Sequence, residues 1–142
     1  MRVFKFGGAS VKDADGIKNV YDVLQKVGYE DVILVVSAMG KTTNALEVVI
    51  KNYFEKSTEL SSSVQEIKKY HNQILLDLFE DENHEVFGAV NAQFAELEYF
   101  LAHNKSPNYN LVYDQVVSFG ELISTNILSH FMNFQGIHTQ WL

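Results

Sequence analysis

Val3-Phe4-Lys5-Phe6-Gly7-Gly8-Ala9-Ser10 is the stretch on which the reading of this chain turns. A short apolar strand runs straight into two adjacent glycines, where backbone amides can approach a ligand without interference from a Cβ. Beyond it, Ile17, Val20, Tyr21, Leu24 and Val27 recur at three and four residues, the spacing of an amphipathic helix. Asp13 or Asp15 can cap its start, and Gly28 stands where a helix ends. Val32-Ile33-Leu34-Val35-Val36 follows as an unbroken apolar run. Such runs belong to strands buried on both faces in parallel sheets covered by helices. The first forty or so residues therefore spell one βαβ unit, and the fold class is α/β.

The middle of the chain reads as helical. Leu46, Val49, Ile50, Tyr53 and Phe54 form one apolar stripe; Val64, Ile67, Ile74, Leu75, Leu78 and Phe79 a second; Phe87, Val90, Phe94, Leu97 and Leu101 a third. Ser57–Ser63 and Glu80–Glu85 read as connections, and Asn104–Asn110, which holds Pro107, as a loop. A fourth helix is expected from about Val112 to Phe134, then a strand over Ile137–Leu142. About three parallel strands result. A chain that stops inside a strand reads as part of a longer protein, and a sheet cut short there exposes unpaired edges that favour self-association.

Composition narrows the class. Hydrophobic residues make up 46% of the 142 and charged residues 20%, the balance of a folded domain. A formal charge of −7 offers no basic face for a phosphate backbone, so no nucleic-acid partner is expected. Without cysteine there is no disulfide, no Cys-ligated zinc and no thiol nucleophile, which fits a reducing cytoplasmic setting. No apolar run reaches the roughly 18 residues of a membrane span, so no membrane partner is expected. The five histidines show no paired metal-ligand spacing, and no metal site is read from this chain.

Three segments carry chemistry. Amides turned outward at Gly7-Gly8, ahead of a helix, make an anion site, and Lys5 can place a point charge beside it. The plainer reading is a strand-to-helix turn with a surface lysine. Val36-Ser37-Ala38-Met39-Gly40-Lys41-Thr42-Thr43-Asn44 lies at the carboxyl end of the second strand, where open parallel sheets bind ligands. Its Gly40-Lys41-Thr42 is not a Walker A loop, because that motif needs glycine where Val35 stands. Its plainer reading is a helix capped by Thr42 or Thr43. Ser118-Phe119-Gly120-Glu121 puts a glycine inside a helix, at a cost of about 1 kcal/mol against alanine, which suggests close approach by a ligand or another backbone. Glu121 beside it can hold an ammonium group or be solvated surface.

Taken together and in this order, Lys5–Ser10, Val36–Asn44 and Ser118–Glu121 resemble the aspartate kinases of the amino-acid kinase superfamily. The helical stretch from Leu46 to Leu101 and Gln140-Trp141-Leu142 are similar to that family too. The resemblance implies an αβα sandwich on a mainly parallel sheet, an incomplete amino-acid kinase fold with a helix-rich insertion. Residues 1–142 would be the N-terminal, substrate half of the catalytic domain, with the nucleotide half and regulatory domains elsewhere. It implies transfer of the γ-phosphoryl group of ATP, with Mg2+, to the side-chain carboxylate of L-aspartate, which opens lysine, threonine and methionine biosynthesis. In that scheme Lys5 neutralises the moving phosphoryl group, and Lys5, Phe6, Gly7, Gly8, Ala9 and Ser10 surround the phosphates. Ser37, Thr43, Val117 and Glu121 hold aspartate, Glu121 by its α-ammonium. Ala9 departs from the family's usual threonine, which leaves the amide but removes a hydroxyl. The resemblance further implies a homo-oligomeric full-length enzyme and an inactive isolated chain. A glutamate 5-kinase-like enzyme, a non-catalytic binding domain of the same fold and a helical interaction module are the alternatives.

Overall fold

The structure, a computed structural model, describes residues 1–142. In chain order it forms β1 (Arg2–Phe6), α1 (Ala14–Val27), β2 (Val32–Val36), α2 (Thr42–Phe54), α3 (Leu60–Phe79), α4 (Glu85–His103) and α5 (Tyr109–Phe134). The opening βαβ unit is as read. The strands pair in parallel, Lys5 opposite Val35 and Phe6 opposite Val36. Asp13 caps α1 by accepting the Gly16 N–H at 2.8 Å, satisfying one of the donors a helix start leaves free. Ile17, Val20 and Leu24 then face the core.

Successive strand residues point to opposite faces, and here only one face is covered. Phe4, Phe6, Val32, Leu34 and Val36 pack into the core, with α5 against β2. Val3, Ile33 and Val35 stay 62%, 40% and 44% exposed on the other face. The expectation of burial on both faces of Val32–Val36 is thus corrected: one face of the two-stranded sheet meets the core, with α5 against β2 and α4 packed on α5, and the other face stays open. This is the α/β architecture expected, with a small parallel sheet and its helices on one side.

No strand forms over Ile137–Leu142. Side chains of α5 hold this segment instead, and one of them takes both backbone groups of Thr139. Asn133 accepts the Thr139 N–H at 2.9 Å and donates to its carbonyl at 3.2 Å, while the Trp141 indole donates to the Thr125 hydroxyl at 2.9 Å. The three apolar stripes do become α2, α3 and α4, with shifted ends. Half of Ser57–Ser63 is helix, because α3 starts at Leu60, and α5 starts at Tyr109. Neither Thr42 nor Thr43 caps α2. Lys41 occupies the cap position without a side-chain bond, and the Thr42 hydroxyl turns back to the Met39 carbonyl at 2.5 Å.

Phe94, Leu97, Val116 and Ile127 are fully buried where α4 meets α5. Burying each such side chain contributes about 1.5–3 kcal/mol, so this seam anchors α5. A polar pair sets its register: the buried Gln93 amide donates to the Leu122 carbonyl at 3.1 Å and accepts from Asn126 at 3.0 Å.

His71 on α3 is fully buried beside the Phe94 and Tyr70 rings. Its Nδ1 meets the Ile67 carbonyl at 2.8 Å, so the neutral ring donates there, and the bare Nε2 faces no partner. Burial pushes its pKa below the usual 6.5. The unfolded chain binds a proton more readily than the folded one as pH drops. Stability is therefore expected to hold steady above about pH 6.5 and to fall below it. Thermal unfolding followed from pH 8 to pH 5 checks this: the acid limb should flatten in His71→Leu.

Candidate active site

The two strands end side by side, and their loops stay together. The Ser37 N–H donates to the Phe6 carbonyl and the Gly40 N–H to the Gly8 carbonyl, each at 3.0 Å. At Gly8 nothing larger fits, since a Cβ would lie 2.7 Å from the Gly40 oxygen and 2.9 Å from that of Ala38. Both obstacles are backbone, which cannot swing aside as a flexible side chain can. Gly40 takes the left-handed region at φ 55° and leaves no room for a Cβ beside the Tyr70 hydroxyl. From α3, that hydroxyl donates to the Lys12 carbonyl. Burial and the nearby Asp13 carboxylate raise the Tyr70 pKa, which keeps the donor protonated.

Gly8→Ala is expected to cost about 1–3 kcal/mol, the usual penalty for forcing extra volume into a packed site. Gly7→Ala is its control, because nothing lies within 4 Å of a Cβ there. Urea unfolding of the two variants measures the difference, and equal midpoints would contradict the close approach at Gly8.

The glycine turn leaves its donors free. The N–H groups of Gly7, Gly8 and Ala9 meet no acceptor in the chain, while those of Ser10 and Val11 close back on the Gly7 and Gly8 carbonyls. Three consecutive free amides facing an open surface form an anion-binding concavity. At the start of α2, the N–H groups of Thr43 and Asn44 are likewise free, at the positive end of the helix dipole. Lys5 is exposed and makes no ion pair, so no carboxylate of this chain holds its charge.

α5 closes the group from the side. Gly120 lies against Ala38, Leu46 and Thr42; a Cβ there would come within 2.9 Å of the Ala38 Cβ. The close approach read from that glycine is thus made by the Ala38–Leu46 segment, not by a ligand. Val117 is half-buried one turn before Glu121, and Glu121 is exposed with its carboxylate unpaired. Ser37 and Thr43 are half-buried on the loop and at the helix start between them. The structure thus puts Lys5, Phe6, Gly7, Gly8, Ala9, Ser10, Ser37 and Thr43 on the end of β1, the loops after the two strands and the start of α2, and Val117 and Glu121 on α5, whose Gly120 and Ser124 touch the Ser37–Ala38 segment. Two clefts, of about 390 and 590 Å³, lie elsewhere: one between β2 and the chain end, the other between the Gly40–Thr42 turn and α3. Neither is lined by Lys5, Gly7, Ser37 or Glu121.

Two contributors escaped the sequence reading. Tyr70 gave no signal, because it lies between apolar positions of a helix far along the chain. Ser124 did leave one: with Gly120 it places two small residues four apart on an otherwise apolar stripe, the mark of a helix face that something approaches closely.

A parallel strand pair with free amides and an unpaired lysine at its carboxyl end, flanked by helices, defines the class as an α/β domain. The sequence pattern of the Amino acid kinase family matches residues 1–142, and the chain belongs to that family. It is similar to the chloroplastic aspartokinase 1 of Arabidopsis thaliana, 33% identical over 141 residues that cover 95% of this chain and 24% of that protein. It is 29% identical to the bifunctional aspartokinase/homoserine dehydrogenase 2 of Escherichia coli, over 99% of this chain and 17% of that one. The chain thus spans about a quarter or less of the length of these relatives. Among solved structures, aspartokinase III of E. coli in complex with lysine and aspartate superposes with a TM-score of 0.82 at 24% identity, covering 100% of this chain and 31% of that one. The same enzyme with aspartate and ADP gives 0.79 at 23%. At such identities these two structures speak for the fold.

Proposed function

We propose that this chain is the acceptor-binding, N-terminal part of an aspartokinase catalytic domain. The reaction is transfer of the ATP γ-phosphoryl group to the side-chain carboxylate of L-aspartate, giving 4-phospho-L-aspartate and ADP. The observation that carries this reading is the row of free N–H groups at Gly7, Gly8 and Ala9 beside the unpaired Lys5. Phosphoryl transfer asks a protein mainly for positioning and charge neutralisation, and this arrangement offers both. The amides hold phosphate oxygens, and Lys5 neutralises the group in transit. The aspartokinase III complexes with aspartate and with ADP support the choice of acceptor and nucleotide.

On the acceptor side, Ser37 and Thr43 donate to the aspartate carboxylates and Val117 lines the pocket. Glu121 takes the α-ammonium, in a charge-assisted bond stronger than a neutral one. Mg2+ arrives with ATP as part of the substrate. The nucleotide base is held by residues outside this chain, in a cytoplasmic homo-oligomer, and the isolated 142 residues turn nothing over.

A coupled assay of ADP release by the full-length protein tests this, with L-aspartate and L-glutamate offered in parallel. Turnover with aspartate, and none from the isolated 142 residues, is expected. Preference for glutamate would reassign the acceptor, and ATP turnover by the isolated chain would undo the division into halves.

A further inference from the structure

Ser37 is clamped on both sides of its backbone. Its N–H donates to the Phe6 carbonyl at 3.0 Å, and its carbonyl accepts the Ser124 hydroxyl at 2.8 Å. Ser124 is fully buried. A buried serine in a helix ordinarily turns its hydroxyl to a carbonyl of the preceding turn. The Glu121 carbonyl is available to it at 3.2 Å, but the shorter bond runs out of the helix to Ser37. No other side-chain hydrogen bond joins α5 to the Ser37–Lys41 loop. On the same helix face Gly120 brings the backbone against Ala38, so the hydroxyl reaches its acceptor without strain.

We infer that Ser124 is a positioning residue for the acceptor: by tying the Ser37 carbonyl to α5, it fixes the span between the Ser37 hydroxyl and the Glu121 carboxylate. The inference rests on the aspartokinase reading of the site. Ser37 and Glu121 come from segments far apart in sequence, and the aspartate they grip has a fixed length between its ammonium and its side-chain carboxylate. A loop free to slide along α5 would hold one end and lose the other. The phosphate side has bonds of its own that do not run through Ser124: the Ser10 and Val11 N–H groups close on the Gly7 and Gly8 carbonyls, and Tyr70 holds the Lys12 carbonyl just beyond.

The test is steady-state kinetics of Ser124→Ala in the full-length protein, with Ile127→Val as a second variant. Ile127 is fully buried on the same helix and belongs to no part of the site, so it reports what core loosening alone does. Ser124→Ala is expected to raise the KM for aspartate about tenfold, the order of one hydrogen bond. The KM for ATP and kcat stay within about twofold of wild type, and Ile127→Val leaves both KM values in place. An unchanged KM for aspartate in Ser124→Ala overturns the inference. So does a parallel rise in the KM for ATP, or an equal rise in Ile127→Val, since either makes the effect one of general stability. A wild-type enzyme with no aspartate-dependent turnover overturns the acceptor assignment itself, and is told apart because it shows before any variant is made.

Discussion

Lys5→Ala in the full-length protein is expected to lower kcat by about a thousandfold, the scale lost when one preorganised charge at a transferring phosphoryl group is removed. The KM for aspartate should change little, because in the proposed scheme Lys5 serves the phosphoryl group and Glu121 the acceptor. Folding should be unaffected, since Lys5 is exposed and makes no hydrogen bond or ion pair. That combination separates a working lysine from a surface one, whose removal would leave kcat alone. Lys5→Arg sharpens the test. Arginine keeps the charge but spreads it over a planar fork, so it should recover only part of the rate. Undiminished turnover in Lys5→Ala would remove the residue from the mechanism and leave the glycine turn as a binding element alone.

Glu121→Gln should raise the KM for aspartate by about 10- to 100-fold, as expected for a charge-assisted hydrogen bond of about 1.5–3 kcal/mol. Glutamine keeps the shape and loses the charge, so the experiment isolates attraction to an ammonium group. The backbone carrying it is held from behind by Gly120, Ser124 and the Gln93 contact at Leu122, so the substitution should not move α5. Because the carboxylate is exposed and unpaired, the melting temperature should stay within experimental scatter. An acceptor lacking the α-ammonium should lose affinity for wild type and bind the variant no worse. If Glu121→Gln left the KM unaltered, the carboxylate would be solvated surface, the plainer of its two readings.

Much of this was legible in the residues. The βαβ unit could be read because its signals are local: an apolar run for the strand, three- and four-residue spacing for the helix, a capping aspartate at Asp13 and a glycine at 28. The strand over Ile137–Leu142 was misread for the complementary reason. Its apolar pattern is that of a strand, but pairing is decided by what competes for the backbone, and Asn133 competes for that of Thr139 from another element. The exposed face of β2 was hidden in the same way, because a run such as Val32–Val36 states what it can bury and not what is there to cover it. In the site, residue types and spacing pointed to Lys5 and the glycines, and the family resemblance to Ser37 and Glu121. Ser124 and Tyr70 act across 87 and 58 residues of chain, a separation over which spacing carries no information.

Lys5 belongs to the exposed side of the sheet, in line with Val3 and across the ladder from Val35. Its electrical strength is therefore tied to how wet that side is. Two unit charges 4 Å apart attract by about 1 kcal/mol in water and by about 4 kcal/mol at the effective dielectric of a protein surface. Any covering that dries the valines also strips water from the ammonium group between them. Covering that face and arming the lysine are, on this geometry, one event.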